Sequence, residues 1–226
     1  MFAFQLLCAL SSAAFLVSAS PALRDDCCDT SKAVMNLPAN QTALVSPTSA
    51  PLFVMLGVGI QNYTCSSTTS TYASIGAVAS LFDIACLDQT PEFANIQIKA
   101  FDIWSEAAAR TTATSIGARV GAPNLLGFHY FVTSPSGTGL SPEWDFTSTG
   151  KFADNSTAYV IGAKVGDIPA PTDPTVNVDW LALVNVQGAL ASKIFRIDTV
   201  SGQPPTSCVA GSAPISVKYT AKYYLY

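Results

Sequence analysis

Beyond residue 52 the chain is dominated by apolar and polar positions that alternate with a period of two. In LFVMLGVGIQNYTC (52–65), Val54, Leu56, Val58 and Ile60 share one face, and Gly57, Gly59 and Gln61 the other. β-branched residues at this spacing predict a strand, and the two glycines mark a bulge or a close backbone approach. Further strands are predicted at 72–87 (one strand or a pair, punctuated at Gly76), 127–133, 143–150, 158–165, 180–186 and 193–200. The last segment, ISVKYTAKYYLY (215–226), alternates most cleanly. Val217, Tyr219, Ala221, Tyr223 and Leu225 form its inner face, and Lys218, Thr220, Lys222, Tyr224 and Tyr226 an outer one. Residues 93–112 read both ways: NIQIKAFDIW alternates like a strand, and WSEAAAR is alanine-rich and could be a short helix. Short strands broken by Gly/Pro turns predict an all-β fold. The expectation is an antiparallel β-sandwich or barrel with at most one or two short helices.

The N-terminal stretch differs. Residues 2–19 carry no charge, and their apolar run is too short and too interrupted by serine to span a bilayer. It predicts a cleaved signal peptide over 1–19 and a secreted, extracellular product with no membrane span after cleavage. Residues 20–51, rich in Pro, Ser, Thr, Asn and Asp, predict an irregular N-terminal arm, leaving 52–226 as a single β-rich domain. Three N-x-[ST] sequons agree with secretion, at Asn40, Asn62 and Asn155. Asn155 sits in a polar turn and is the favoured site, whereas Asn62 lies near a strand end.

Composition narrows the function. Apolar residues make up 49% of the chain and charged residues 12%, with a net charge of −4 and 11 Lys+Arg. That excludes intrinsic disorder and an electrostatic nucleic-acid binder. Of the six cysteines, Cys8 would leave with the signal, so Cys27, Cys28, Cys65, Cys86 and Cys208 remain. In an oxidising compartment this means two bridges and one spare thiol, the spare being one of the adjacent Cys27-Cys28 pair. With one histidine and no C-x-x-C, neither a zinc site nor dithiol redox chemistry is expected. No cofactor is implied.

DWLALVNV (179–186), FRIDTVSGQPPTSC (195–208) and VKYTAKYYLY (217–226) occur in that order. Together with GVGIQNYTC (57–65), GAVASLFD (76–83) and GFHYF (127–131), they resemble the domain of unknown function 3455 family of uncharacterised secreted proteins. The arm with its Cys27 resembles the fungal branch. The resemblance implies a secreted β-rich domain with a Cys65–Cys208 disulfide and a second bridge from Cys86 to Cys27 or Cys28. It brings no catalytic residues. Fungal members often carry the label malate dehydrogenase, which these residues do not support. GVGIQN (57–62) lacks the third glycine of G-x-G-x-x-G and opens no helix for a pyrophosphate.

Candidate chemistry is sparse. His129, flanked by Phe128 and Tyr130, is the single candidate imidazole base, and no G-x-S-x-G elbow accompanies it. Glu143 and Asp145 bracket Trp144, so alternation places both carboxylates on one face and the indole on the other. Paired carboxylates near an aromatic are what a glycosidase needs, but two neighbours on one strand rarely straddle a sugar ring. Trp144, Tyr224 and Tyr226 are candidate binding aromatics for carbohydrate or a partner surface. The expected function is a secreted, disulfide-stabilised, non-enzymatic surface or cell-wall protein, with polysaccharide or a cell-surface component as partner. The alternatives are a secreted hydrolase using His129 with Glu143 or Asp145, and a carrier of a small apolar ligand in a barrel lumen.

Overall fold

The computed structural model describes residues 29–226. Eight strands run β1 Phe53–Ser66, β2 Thr71–Asp83, β3 Leu125–Thr133, β4 Leu140–Asp145, β5 Tyr159–Ile168, β6 Trp180–Gly188, β7 Lys193–Ser201 and β8 Ile215–Leu225. Each pairs antiparallel with the next, and β1 also pairs with β8, closing a barrel in simple sequence order. Of the two expected architectures, the barrel is the one formed. Closure leaves no open sheet edge among these strands.

Two packed layers follow from the alternation. Met55, Leu81, Trp144, Phe146, Val160, Leu183, Ile194, Tyr219 and Tyr223 fill the lumen. Val54, Leu56, Val58, Phe195, Ile197 and Tyr224 point outward and are covered by a helix and the N-terminal arm. Two glycines in β1 make room for this packing. A Cβ on Gly57 would lie 2.5 Å from Tyr223 Cε2, and one on Gly59 would lie 2.1 Å from the Val78 carbonyl oxygen. Only hydrogen lets the ring and the neighbouring strand approach so closely.

The covering helix, α1, spans Pro91–Glu106; a single turn, α2, follows at Ile116–Arg119. No helix among the described residues is long and apolar enough to cross a membrane. The strand-like reading of 95–104 is corrected, because that stretch is the body of α1, and the alanine-rich 104–110 read as a short helix supplies only its last residues, to Glu106. Thr90 caps the first turn by accepting from Phe93 N–H, and Pro91 opens it. Ile96, Ala100 and Trp104, four apart, face the barrel, whereas Ile98, which made the alternation look strand-like, is exposed.

This helix changes the fate of β8. Its outer face is covered: Thr220, Lys222, Tyr224 and Tyr226 are all buried. The lysines keep their heads occupied. Lys218 Nζ donates to the Trp104 and Ala107 carbonyls at the C-terminal end of α1, a favourable place for a cation. Lys222 Nζ pairs with Asp198 Oδ2 at 3.0 Å and lies 4.4 Å from the Phe93 ring centre.

Candidate functional site

The register of β3 and β4 decides which candidate residues can meet. His129 lies opposite Trp144, and Tyr130 opposite Glu143. Strand alternation then sends His129 and Trp144 into the lumen and Tyr130, Glu143 and Asp145 to the outer wall. The structure therefore separates the histidine from both carboxylates by the thickness of the sheet.

His129 is 3% exposed. Its ring stacks on Trp144 with centroids 4.6 Å apart and tilts against Tyr223 at 5.7 Å. Nδ1 lies 2.8 Å from the Glu143 backbone oxygen. A carbonyl can only accept, so the neutral ring carries its proton on Nδ1. Burial pushes its pKa down to about 4; the bond to the Glu143 carbonyl opposes the shift, and the Arg196 charge adds to it. The hydrogen bond goes to backbone, not to a serine hydroxyl or a carboxylate, so the geometry of a nucleophile–base pair is not assembled here.

On the outer wall the carboxylates line an open pocket of about 430 Å3 with Tyr130, Tyr159, Thr147 and Ser156. Asp145 is committed to its own turn. Its Oδ1 accepts from Thr147 N–H and Oγ1–H, both at 2.7 Å, and its Oδ2 from the Tyr130 hydroxyl at 3.0 Å and from Ser148. Burial alone would raise its pKa, but the Thr147 and Tyr130 hydrogen bonds outweigh it, and the carboxyl is held below the ordinary value. Glu143 is shifted upward, first by burial and then by the Asp145 charge. The two tyrosines are the residues that sequence reasoning missed. The signal lay in register: Tyr130 pairs with Glu143, and Tyr159 with Asp145, so all four share one face.

The expected binding aromatics fare differently from that pocket. Trp144 is inside the barrel, and Tyr224 and Tyr226 lie beneath α1 and the arm as part of the outer core. Burial withdraws all three from contact with a large ligand: Trp144 by the barrel wall, Tyr224 and Tyr226 by the layer of α1 and the arm. The lumen is filled by aromatic rings, and the cavity beside His129 and Trp144 measures about 30 Å3. An apolar carrier needs several hundred. Among the described residues, no three His, Cys, Asp or Glu side chains cluster to hold a metal ion.

Cys65 and Cys208 form a disulfide across 143 residues, tying the β7–β8 loop to the end of β1. Cys86 is disulfide-bonded; its expected partners, Cys27 and Cys28, and the expected signal peptide lie outside the described residues. Asn40 and Asn155 are in exposed turns, with Asn155 Oδ1 accepting from Thr157. Asn62 is within β1, bonded to Ser216.

The architecture is thus a closed eight-stranded antiparallel barrel with a disulfide-anchored loop. The family model described as "Protein of unknown function (DUF3455)" matches residues 45–226, and the chain belongs to that family. No curated protein and no solved structure matches it.

Proposed function

We propose that this chain is a secreted, non-enzymatic binding protein of the cell wall or surface. In this reading, Tyr130, Glu143 and Tyr159 contact polyhydroxylated chains such as wall polysaccharide, and Asp145 positions Tyr130. The observation that carries the reading is the sheet lying between His129 and the carboxylates. It leaves an outer pocket able to accept and donate hydrogen bonds, with ring faces to stack on sugars, but no histidine base within it. The predicted signal over 1–19, the disulfide and the sequons at Asn40, Asn62 and Asn155 support secretion. We take 52–226 as the single domain and 20–51 as its arm. A hydrolase built on His129 with Glu143 or Asp145 would have to reach through the barrel wall. The test is depletion of the purified protein by insoluble cell-wall polysaccharides, with released reducing sugars measured in parallel. Saturable retention, weakened by Glu143→Gln and Tyr159→Ala but not by His129→Gln, and without sugar release, is expected. Turnover that depends on His129 would overturn the reading.

A further inference from the structure

The two ends of the barrel are unlike. At one, Phe53, Phe146 and Phe152 pack edge and face into an apolar plug. At the other, where Cys65–Cys208 anchors the loop after β7, a pocket of about 260 Å3 opens into the barrel. Its walls include the apolar surfaces of Phe131, Val178 and Leu181, and its polar lining includes Gln61 and Arg196. Below it, sharing Phe131, Leu181 and Arg196, lies the small cavity beside Trp144.

Two buried nitrogens here, Gln61 Nε2 and Trp144 Nε1, lack a hydrogen-bond partner. Gln61 is 5% exposed; its amide reaches the Tyr219 hydroxyl, but Nε2 makes no hydrogen bond of full geometry. Trp144 is 1% exposed and its Nε1–H is also unmatched. Buried donors left unsatisfied are costly, and a native barrel retains few of them. Arg196 spends Nε and one terminal nitrogen on the Asp179 carbonyl, at 3.2 and 2.9 Å, and also donates to the Tyr223 hydroxyl; its side chain lines both spaces. Lys164 and Asp167 pair with each other at the rim, and Asp179 is a second carboxylate of the lining, beside Asp167 and within the field of Arg196. The unmatched Gln61 amide and the Arg196 guanidinium favour a ligand that brings acceptors on a compact apolar body.

We propose that this end of the barrel binds a small organic carboxylate. Its oxygens take hydrogen bonds from Gln61 and Arg196, and its apolar body rests against Phe131, Val178 and Leu181. A guanidinium beside an amide is well matched to a carboxylate. This site is separate from the outer pocket on β3–β5 and stands or falls independently of it.

The test is titration of the disulfide-intact protein with benzoate, followed by NMR of the Gln61 side-chain amide and the Arg196 guanidinium. Benzyl alcohol (no charge) and acetate (no apolar body) are titrated as comparisons. Saturable shifts with benzoate, and at least tenfold weaker binding of both comparison molecules, are expected. Arg196→Gln should weaken benzoate by about tenfold. Gln61→Leu removes an unmatched buried donor, so it keeps the fold intact while lowering affinity several-fold, and it decides the matter should Arg196→Gln fail to fold. No saturable shift with benzoate through the millimolar range would overturn the proposal. So would equal binding of benzyl alcohol, or affinity indifferent to Gln61→Leu.

Discussion

Replacing His129 by glutamine should flatten the pH dependence of stability between about pH 7.5 and pH 5. His129 is the one histidine in the chain, and burial holds its folded-state pKa near 4 against an ordinary 6.5. Between those values the unfolded chain binds a proton that the folded chain refuses, so stability falls as pH falls through the window and levels off below the folded value. The full difference of 6.5 − 4 units corresponds to about 3 kcal/mol, of which about 2 kcal/mol is lost by pH 5. The carboxylates shifted upward, Glu143, Asp83 and Asp179, protonate earlier in the folded state and oppose this trend at the acid end. The glutamine variant retains them and supplies the baseline. Urea unfolding of both proteins at several pH values measures the difference. A wild-type curve no steeper than that of the variant would mean that His129 titrates freely, and the account of a sealed imidazole would be refuted.

Two further perturbations test the frame that positions the sites. Removing the disulfide as Cys65→Ser with Cys208→Ser frees a loop of 143 residues and should cost about 5 kcal/mol in the chain-entropy account; a urea-measured loss under about 1 kcal/mol would contradict it. Gly59→Ala should cost about 3 kcal/mol or lower the melting temperature sharply, because the added methyl meets Val78 and Ala79 backbone atoms at 2.1 and 2.7 Å, which cannot swing aside.

Alternation made much of the barrel wall legible, and it failed where tertiary contacts overrode it. It placed Glu143 and Asp145 opposite Trp144, and Tyr219, Tyr223 and Leu225 on the inner face of β8, as the structure has them. It left the fate of the other face of β8 open, because Lys218 and Lys222 among its tyrosines give no sign of what covers them. Their heads are taken up by α1 carbonyls and by Asp198. The helix itself was half hidden, because Ile96 and Ile98 mimic a strand while the Thr90-Pro91 start sits upstream of the ambiguous stretch. Closure depends on β1 meeting β8, a pairing such as Phe53 with Leu225 that leaves no local trace. The side of the wall on which His129 falls relative to the carboxylates depends on the β3–β4 register, and so does the grouping of Tyr130 and Tyr159 with them. Gln61 did leave a sign, a polar residue on the glycine face of an apolar strand, but its partnerless burial emerges only in three dimensions.

Saccharide binding is proposed for the outer wall of β3–β5, away from the interior of the barrel. Mapping amide shifts during titration with soluble oligosaccharides cut from cell-wall polysaccharide tests it most directly. The account predicts saturable changes at Tyr130, Glu143, Thr147, Ser156 and Tyr159, silence at the Trp144 indole, and intact oligosaccharide at the end of the titration. Changes centred on His129 and Trp144, or shortened oligosaccharide in the tube, would contradict it.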